Sequence, residues 1–431
     1  MNEKIVTIGI IVVLVGGVMG VQTHRQISGG APMGAEATGV GPKLREMVKE
    51  NETGKVSVLI QMEPPAEPFS MEQRNANAQS LRSYSVESFT QFGAEFDSQG
   101  VIPSFNIVTM EVPLSNVFAI NDQERVKSVT LNENIGVRPL SDDASPYASP
   151  EEVRKIHKVE NLPSAENVVV CVIDSGAPEH GHYVKDIISM RGDEGYDVFG
   201  HGGAVTKTVH NVAPEADITV VKVLDDQGVS DLSTIVAGIE ESVHMRPQPD
   251  VINLSLGANP SPISPVDRAV NMIESQYGPI IVSSAGNTGS HQTSPATASG
   301  SISVGALDED GDDLTYYSAT DYDVTAVGDL DISGYGELSG TSFASPIVSG
   351  MKARWLNYIK KEAEYIDAKA TVEGMKSMTE EDDKDIITGE KLMSAETVTT
   401  EDVYMQEMSM PIGVVIFGLI IAIFGGIRRG D

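Results

Sequence analysis

Cysteine is nearly absent: Cys171 is alone among 431 residues. No internal disulfide can form, so the core must hold the fold, and a chain of this length can build one large enough. Cys171 lies inside an apolar run and reads as a small buried hydrophobe rather than a nucleophile. Basic residues are scarce too, with 30 Lys and Arg against 62 Asp and Glu, a formal charge of -32. Such a surface repels phosphate, which excludes nucleic acid as a partner, and it suits heavy solvation. EF-hand spacing is missing. The acidic loop Asp308-Glu309-Asp310-Gly311-Asp312-Asp313 therefore reads as a solvated charged turn. Calcium is admitted as a ligand with no site assigned, and no metal ligands are named.

Long uncharged apolar runs are missing from the middle of the chain and confined to its ends. Residues 1–23 read as a signal peptide or signal anchor, with small residues at Gly17 to Gly20. Residues 408–427 are uncharged and are followed at once by Arg428-Arg429, the pattern of a single-pass transmembrane helix with a cytoplasmic basic flank. The expected place is the cell membrane, with the middle of the chain extracellular. Gly413, Gly418, Gly425 and Gly426 form no GxxxG pair, so no helix dimer is implied.

What is present is concentrated chemistry. In Gly340-Thr341-Ser342-Phe343-Ala344-Ser345-Pro346, small residues flank a serine. Pro346 fits a first helical turn. Ile347, Met351, Trp355 and Ile359 then recur every four residues, one buried helix face. Ser342 is thus expected near a helix N-terminus, where developing negative charge is favoured. A serine needs a base and an orienting acid. Asp174 ends the apolar run Val168 to Ile173, which reads as a buried parallel strand with a carboxylate at its C-terminal edge. His201 lies among glycines in Gly200-His201-Gly202-Gly203. His180 and His182 are too near Asp174 in sequence to compete as base, and His210 leads into the next strand. Alone, each residue has a plain structural reading. Asp174 could be a turn residue, His201 structural, and Asn287 a left-handed turn residue. Four blocks in one order favour catalysis.

Those blocks resemble the subtilisin-like serine proteases (subtilases, peptidase family S8). Asp174-Ser175-Gly176, His201-Gly202-Gly203-Ala204-Val205, Ser283-Ser284-Ala285-Gly286-Asn287-Thr288-Gly289 and the Ser342 block stand in the family's order. Val212 to Ala216 and Asn253-Leu254-Ser255-Leu256-Gly257 are similar to further family strings. The resemblance covers roughly residues 150 to 398. It implies Ser342 as nucleophile, His201 as base and Asp174 as its orienting acid. It implies an oxyanion donor in Asn287 beside the Ser342 N–H, and substrate strands at Ser255, Leu256, Gly257, Ser284, Ala285 and Gly286. By analogy, small side chains there leave room for a large apolar residue before the cleaved bond. Gly203 and Lys207 depart from the family pattern, which usually has Thr and a small residue. A catalytically weak or silent surface binding protein of the same fold is therefore the alternative; Gly203→Thr is expected to brace the turn carrying His201, or to clash and cost stability if Gly203 has a positive φ.

The implied fold is α/β: a mainly parallel sheet with helices on both faces, preceded by a small α+β domain. Residues 55–137 are similar to the family's inhibitor-type propeptide, an intramolecular inhibitor and folding aid. Strands are expected at Val56 to Met62, Phe105 to Val112 and Val126 to Leu131, with helices at Met71 to Ser98 and Leu114 to Asn121. Residues 138–152 read as a linker with the processing site near Leu140-Ser141. Residues 153–398 are the peptidase domain, with further strands at Ile218 to Val223, Val251 to Leu256, Ile280 to Ser284 and Ser301 to Val304. Residues 399–407 are a short stalk. Partners are then protein or peptide substrates, the chain's own propeptide, and the membrane through 408–427.

Overall fold

Apolar runs alternating with helical patterns predict a parallel sheet, and the computed structural model contains one. It describes residues 39–63, 71–137, 146–362 and 386–394, all within the unit Thr38–Asp431. The signal segment, most of the processing segment, the stalk and the 408–427 span lie outside the described residues. Among the described residues no helix is long and apolar enough to cross a membrane.

The N-terminal part is a four-stranded antiparallel sheet of β1 (Lys55–Met62), β2 (Glu95–Ile102), β3 (Ile107–Pro113) and β4 (Val126–Leu131), in the order β2-β3-β1-β4. Helices α1 (Pro42–Lys49), α2 (Met71–Phe89) and α3 (Val117–Asn121) belong to it. Its core joins Val58, Ile60, Leu81, Phe89, Met110 and Val129. The expected helix to Ser98 stops at Phe89. Gly93, at φ 73, closes the short turn that follows, and the chain returns as β2. That edge strand was hidden because Asp97, Ser98 and Gln99 interrupt its apolar alternation.

The large sheet has seven parallel strands: β6 (Val169–Asp174), β7 (Val184–Ser189), β8 (Asp217–Lys222), β10 (Val251–Leu254), β11 (Ile280–Ser284), β12 (Ser301–Leu307) and β13 (Val324–Val327). Their order is β13-β12-β11-β10-β6-β8-β7. Every residue of β6, β10, β11 and β12 is buried, as continuous apolar runs demand of strands covered on both faces. Helices α4 (Pro150–Ile156), α5 (His201–Val212), α6 (Leu232–Ser242), α7 (Pro265–Tyr277), α8 (Thr341–Glu362) and α9 (Gly389–Ser394) accompany it. After β6 the chain builds β7 and β8 on one side, then crosses to build β10 to β13 on the other. The crevice at such a reversal, beyond the strand C-termini, is where open α/β sheets bind ligands.

Four further strands complete the set. β14 (Asp329–Ile332) pairs with β15 (Gly336–Ser339). β9 (Val229–Asp231) takes as antiparallel partner β5 (Asn134–Gly136), the last strand of the N-terminal part. Residues 146–152 of the expected linker are folded. Ala148 bridges Leu330, and Ser149 with Glu152 forms a capping box that starts α4.

The N-terminal sheet packs on α6 and α7. Leu59, Ile102, Phe105, Ile107 and Val137 share one apolar cluster with Ile235, Val236, Val266 and Ile273. At its margin Arg74 donates to both oxygens of Glu240, at 3.3 and 2.9 Å, and Ser104 N donates to Glu240 Oε1 at 2.6 Å. The Glu240 side chain is only 4% exposed, so this junction is shielded from salt in a way surface pairs are not.

Candidate active site

Asp174 is the last residue of β6, the strand at which the build order reverses, and it is fully buried. His201 is the first residue of α5. The two are drawn together by close backbone approach. A Cβ on Gly202 would stand 2.6 Å from the Gly176 oxygen and 2.8 Å from its nitrogen, and Gly176 itself has φ 130. Only glycine fits both places. His201 Nδ1 is 2.8 Å from Asp174 Oδ1, which also accepts from Ser175 N at 2.7 Å. Asp174 Oδ1 fixes the imidazole so that Nδ1 carries the proton and Nε2 is left as acceptor. His201 Nε2 is buried and has no hydrogen-bond partner.

Ser342 is the second residue of α8, half-buried, at the positive end of a 22-residue helix. Ile347, Met351 and Trp355 are buried in the core and Ile359 packs against it, as the four-residue spacing requires. Pro346 lies in the second turn, not the first. Its missing N–H would have bonded the Ser342 carbonyl. Ser255 supplies the replacement: its Oγ donates to Ser342 O at 2.7 Å and stands 2.8 Å from Ser345 Oγ. The Ser342 hydroxyl donates in turn to Ser255 O at 3.2 Å. In this rotamer it does not bond His201. The Phe343 and His201 rings are 5.5 Å apart.

Asn287 Oδ1 accepts from Thr341 N and Thr341 Oγ1, both at 2.9 Å. That fixes which end of the carboxamide is oxygen. A Cβ built on Gly340 would be 3.1 Å from Asn287 Nδ2 and 3.7 Å from Ser342 N, so both nitrogens lie close to the backbone of residue 340. The positive-φ residues of that loop are Gly286 and Gly289, not Asn287. Ser255, Leu256 and Gly257 leave the C-terminal end of β10, and Ser284, Ala285 and Gly286 that of β11. Leu256, Ser284 and Ala285 are almost wholly buried, so backbone and shape are what they offer. Gly286 N is held by Thr341 Oγ1 at 3.1 Å.

Asp197 was not singled out from sequence. Its Oδ1 accepts from Ser175 Oγ and Gly200 N, each at 2.9 Å, and its Oδ2 from Gly203 N at 2.6 Å. Gly202 N donates to Ser175 Oγ at 2.8 Å. Asp197 thus caps the helix that begins at His201 and ties it to the turn after Asp174. An aspartate just ahead of a helix start was the available clue. Burial holds its carboxyl above the usual carboxylate range.

Gly203 is no vacancy. A Cβ there would fall 2.9 Å from Tyr335 Cζ, closer still to the Tyr335 hydroxyl, and 3.0 Å from Asp197 Oδ2. The tyrosine occupies the space a side chain at 203 would need. Lys207 is equally accommodated, its ammonium 5.3 Å from the centre of the Tyr183 ring, which stacks on His210 at 4.0 Å. The two departures lie one helical turn apart under a cover of tyrosines, and the surroundings accommodate both. His180 and His182 are exposed, and His201 alone among the described histidines reaches Asp174. Burial pushes the Cys171 thiol up to about 12, which removes it as a nucleophile.

The model of the subtilase family matches residues 165–388, just over half of the chain. The chain belongs to the subtilase family. This subtilase is 33% identical over 205 residues to the thermostable alkaline protease of Halalkalibacterium halodurans, covering 42% of this chain and 55% of that protein. It is 32% identical over 216 residues to the M-protease of Shouchella clausii, covering 44% of this chain and 54% of that protein. Against subtilisin Savinase of Lederbergia lenta the identity is 32% over 216 residues, 76% of that protein. The chain thus spans little more than half the length of the first two. In the acidic loop, Asp308 Oδ1 accepts from the N–H groups of Asp312 and Asp313, so the carboxylate closes its own turn. Among the described residues no group of three or more His, Cys, Asp and Glu is placed to hold a metal.

Proposed function

We propose that this subtilase is an extracellular, membrane-anchored serine endopeptidase made as a zymogen. One observation carries the reading: the buried pair of Asp174 Oδ1 and His201 Nδ1 at 2.8 Å, with His201 Nε2 left unpartnered beside the helix start that bears Ser342. A serine hydroxyl turned toward that nitrogen could lose its proton to it. Ser342 Oγ would then attack the peptide carbonyl, with Asp174 stabilising the imidazolium. The carbonyl oxygen would gather charge near Asn287 Nδ2 and Ser342 N. His201 would pass its proton to the leaving amine, and water would release the acyl group by the same steps reversed.

The zymogen reading is supported by β5. The N-terminal part ends by adding a strand to β9, and Val137 N donates to Gly228 O at 2.9 Å. Asp174 O in turn holds Val223 N and Leu224 N at the start of that loop, so the added strand runs along a wall tied to the site. Cleavage in the linker near Leu140-Ser141 would free it, and residues 408–427 would remain as the anchor. Fluorophosphonate labelling tests the enzyme: the processed chain labels at Ser342, and Ser342→Ala leaves an uncut precursor. A folded precursor that never labels would favour the silent binding protein. N-terminal sequencing tests the zymogen, because a mature start between about 138 and 152 is expected, whereas a start near residue 21 would make residues 55–137 a permanent domain.

A further inference from the structure

Two donors on separate segments stabilise an oxyanion only if the segments are held at a fixed spacing. Asn287 follows β11 and Ser342 opens α8. The direct bonds between these segments, from Thr341 N and Oγ1 to Asn287 Oδ1, run through the rotatable carboxamide itself. A second strut comes from the loop after β12. Tyr317 O accepts from Gly289 N at 2.8 Å, and Ala319 N donates to Gly286 O at 2.9 Å. Residues 317–319 therefore grip the loop on both sides of Asn287.

The other end of Tyr317 reaches the serine segment. Its side chain is buried, and its hydroxyl donates to Asp329 Oδ1 at 2.7 Å. Asp329, itself buried, pairs with Ser339 across β14 and β15, just ahead of Gly340-Thr341-Ser342. Gly328 and Gly340 make the contact tight. Gly340 N donates to Gly328 O at 3.1 Å, and a Cβ on Gly328 would stand 3.0 Å from the Tyr317 hydroxyl and 3.2 Å from Gly340 O. Burial and the facing carboxylate hold the phenol well above its ordinary range, so it stays a donor. Contacts thus run in a ring, from Asn287 through Tyr317, Asp329 and Ser339 to Thr341 and back to Asn287. The Tyr317 hydroxyl closes that ring.

We propose that Tyr317 is a positioning residue: through its hydroxyl bond to Asp329 it sets the spacing of Asn287 and the Ser342 backbone, and so the fit of the oxyanion. The proposal rests on the proteolytic reading above. Tyr317 acts through Asn287 and not on the substrate, by denying the two segments independent motion. Phenylalanine would keep the ring and the Gly289 bond but release Asp329, and the serine segment could then shift relative to Asn287. The loss would fall on the transition state, whose charge needs both donors at once, and hardly on substrate binding.

Two measurements test this on the full chain. In the first, the processed protein is given a fluorogenic peptide built on a bond that it cuts in denatured protein. Tyr317→Phe should lower kcat by about tenfold, a part of what the donor itself is worth, with KM changed by less than about twofold. Asp329→Asn keeps an acceptor for the hydroxyl and should hold kcat within about threefold of the unsubstituted protein. In an Asn287→Ala background Tyr317→Phe should cost less than about twofold, because the donor it places is gone. Full kcat in Tyr317→Phe, or losses that multiply in the double variant, would overturn the proposal and leave the protease standing. Absence of any cleavage or labelling in the unsubstituted protein would instead strike the proteolytic reading. The second measurement needs no catalysis. In the uncut Ser342→Ala chain, amide exchange at Gly289 and Gly340 should quicken together by about tenfold in Tyr317→Phe and in Asp329→Leu, while the amides of β6 keep their rate. Exchange unchanged at either glycine, or raised across β6 as well, would sink the proposal.

Discussion

Putting threonine at position 203, the usual residue of the family, should damage this subtilase. The new Cβ would lie 2.9 Å from Tyr335 Cζ and 3.0 Å from Asp197 Oδ2, and the branched atoms beyond it would reach further. Asp197 cannot retreat, because three hydrogen bonds from Ser175, Gly200 and Gly203 hold its carboxylate. Tyr335 must move, or the first turn of α5 must. Overpacking of this kind costs about 1–3 kcal/mol. Because the strained turn carries His201, part of that cost should appear as misplacement of the imidazole, lowering kcat more than it raises KM. Tyr335→Ala alone should cost roughly 1–2 kcal/mol, since the ring is only partly buried. Combined, the two changes should be milder than their sum by at least about 1 kcal/mol, because the alanine vacates the space the threonine needs. Urea unfolding of the four proteins and their peptide kinetics complete the cycle. A Gly203→Thr protein of undiminished stability and activity would refute the reasoning, and so would a penalty that Tyr335→Ala leaves unchanged.

Asn287→Ala should lower kcat by roughly two to three orders of magnitude with little change in KM, a magnitude established on subtilisin itself rather than worked out from this chain; an equal rise in KM with kcat intact would reduce Asn287 to a turn residue. Ser255→Ala should cost about 1–3 kcal/mol in urea unfolding, because Pro346 has no N–H to offer the Ser342 carbonyl that Ser255 Oγ now satisfies; Ser255→Thr, keeping the hydroxyl, should recover part of it, and no loss in the alanine variant would refute the account. His157, fully buried with Nδ1 on Ile387 O at 2.8 Å and Nε2 accepting Val327 N at 3.2 Å, is lowered by burial from 6.5 to about 4. Its contribution is complete above pH 6.5 and is lost as pH falls toward 4, about 3 kcal/mol in all; a His157→Gln protein whose unfolding free energy falls just as steeply between about pH 7 and 4 would disprove it.

Much of the site was legible because its chemistry sits in short blocks at forced places. Asp174 ends a run of apolar residues, and such a run can only be a buried strand. Ser342 precedes a four-residue periodicity that only a helix satisfies. The rest was hidden for identifiable reasons. β7 and β13 are sheet edges, and β7 alternates poorly because Lys185 and Asp186 face solvent. Pro346 was read as opening the helix because a proline within the second turn is tolerable only if another group bonds the freed carbonyl, and Ser255 lies 87 residues away. Asp197, Tyr317 and Tyr335 act through contacts across loops, which leave no period in the sequence. The meaning of Gly203 depended on Tyr335 and could not be had from either residue alone.

Lys222 closes β8 with its side chain 1% exposed. Its ammonium lies 2.9 Å from the Tyr196 carbonyl, from Asp193 and from Asp226. Asp193 and Tyr196 belong to the stretch that leads into His201, and Asp226 to the stretch that leads into β9. One cation therefore rivets the two walls of the cleft together. Arg191 doubles the rivet by donating to Val229 O at 2.9 Å. A chain pressing on the β9 wall thereby loads the segment that aims the imidazole. Under the proposed function, a peptide held along β9 would bear on the segment that carries the base, because one buried cation ties the two together.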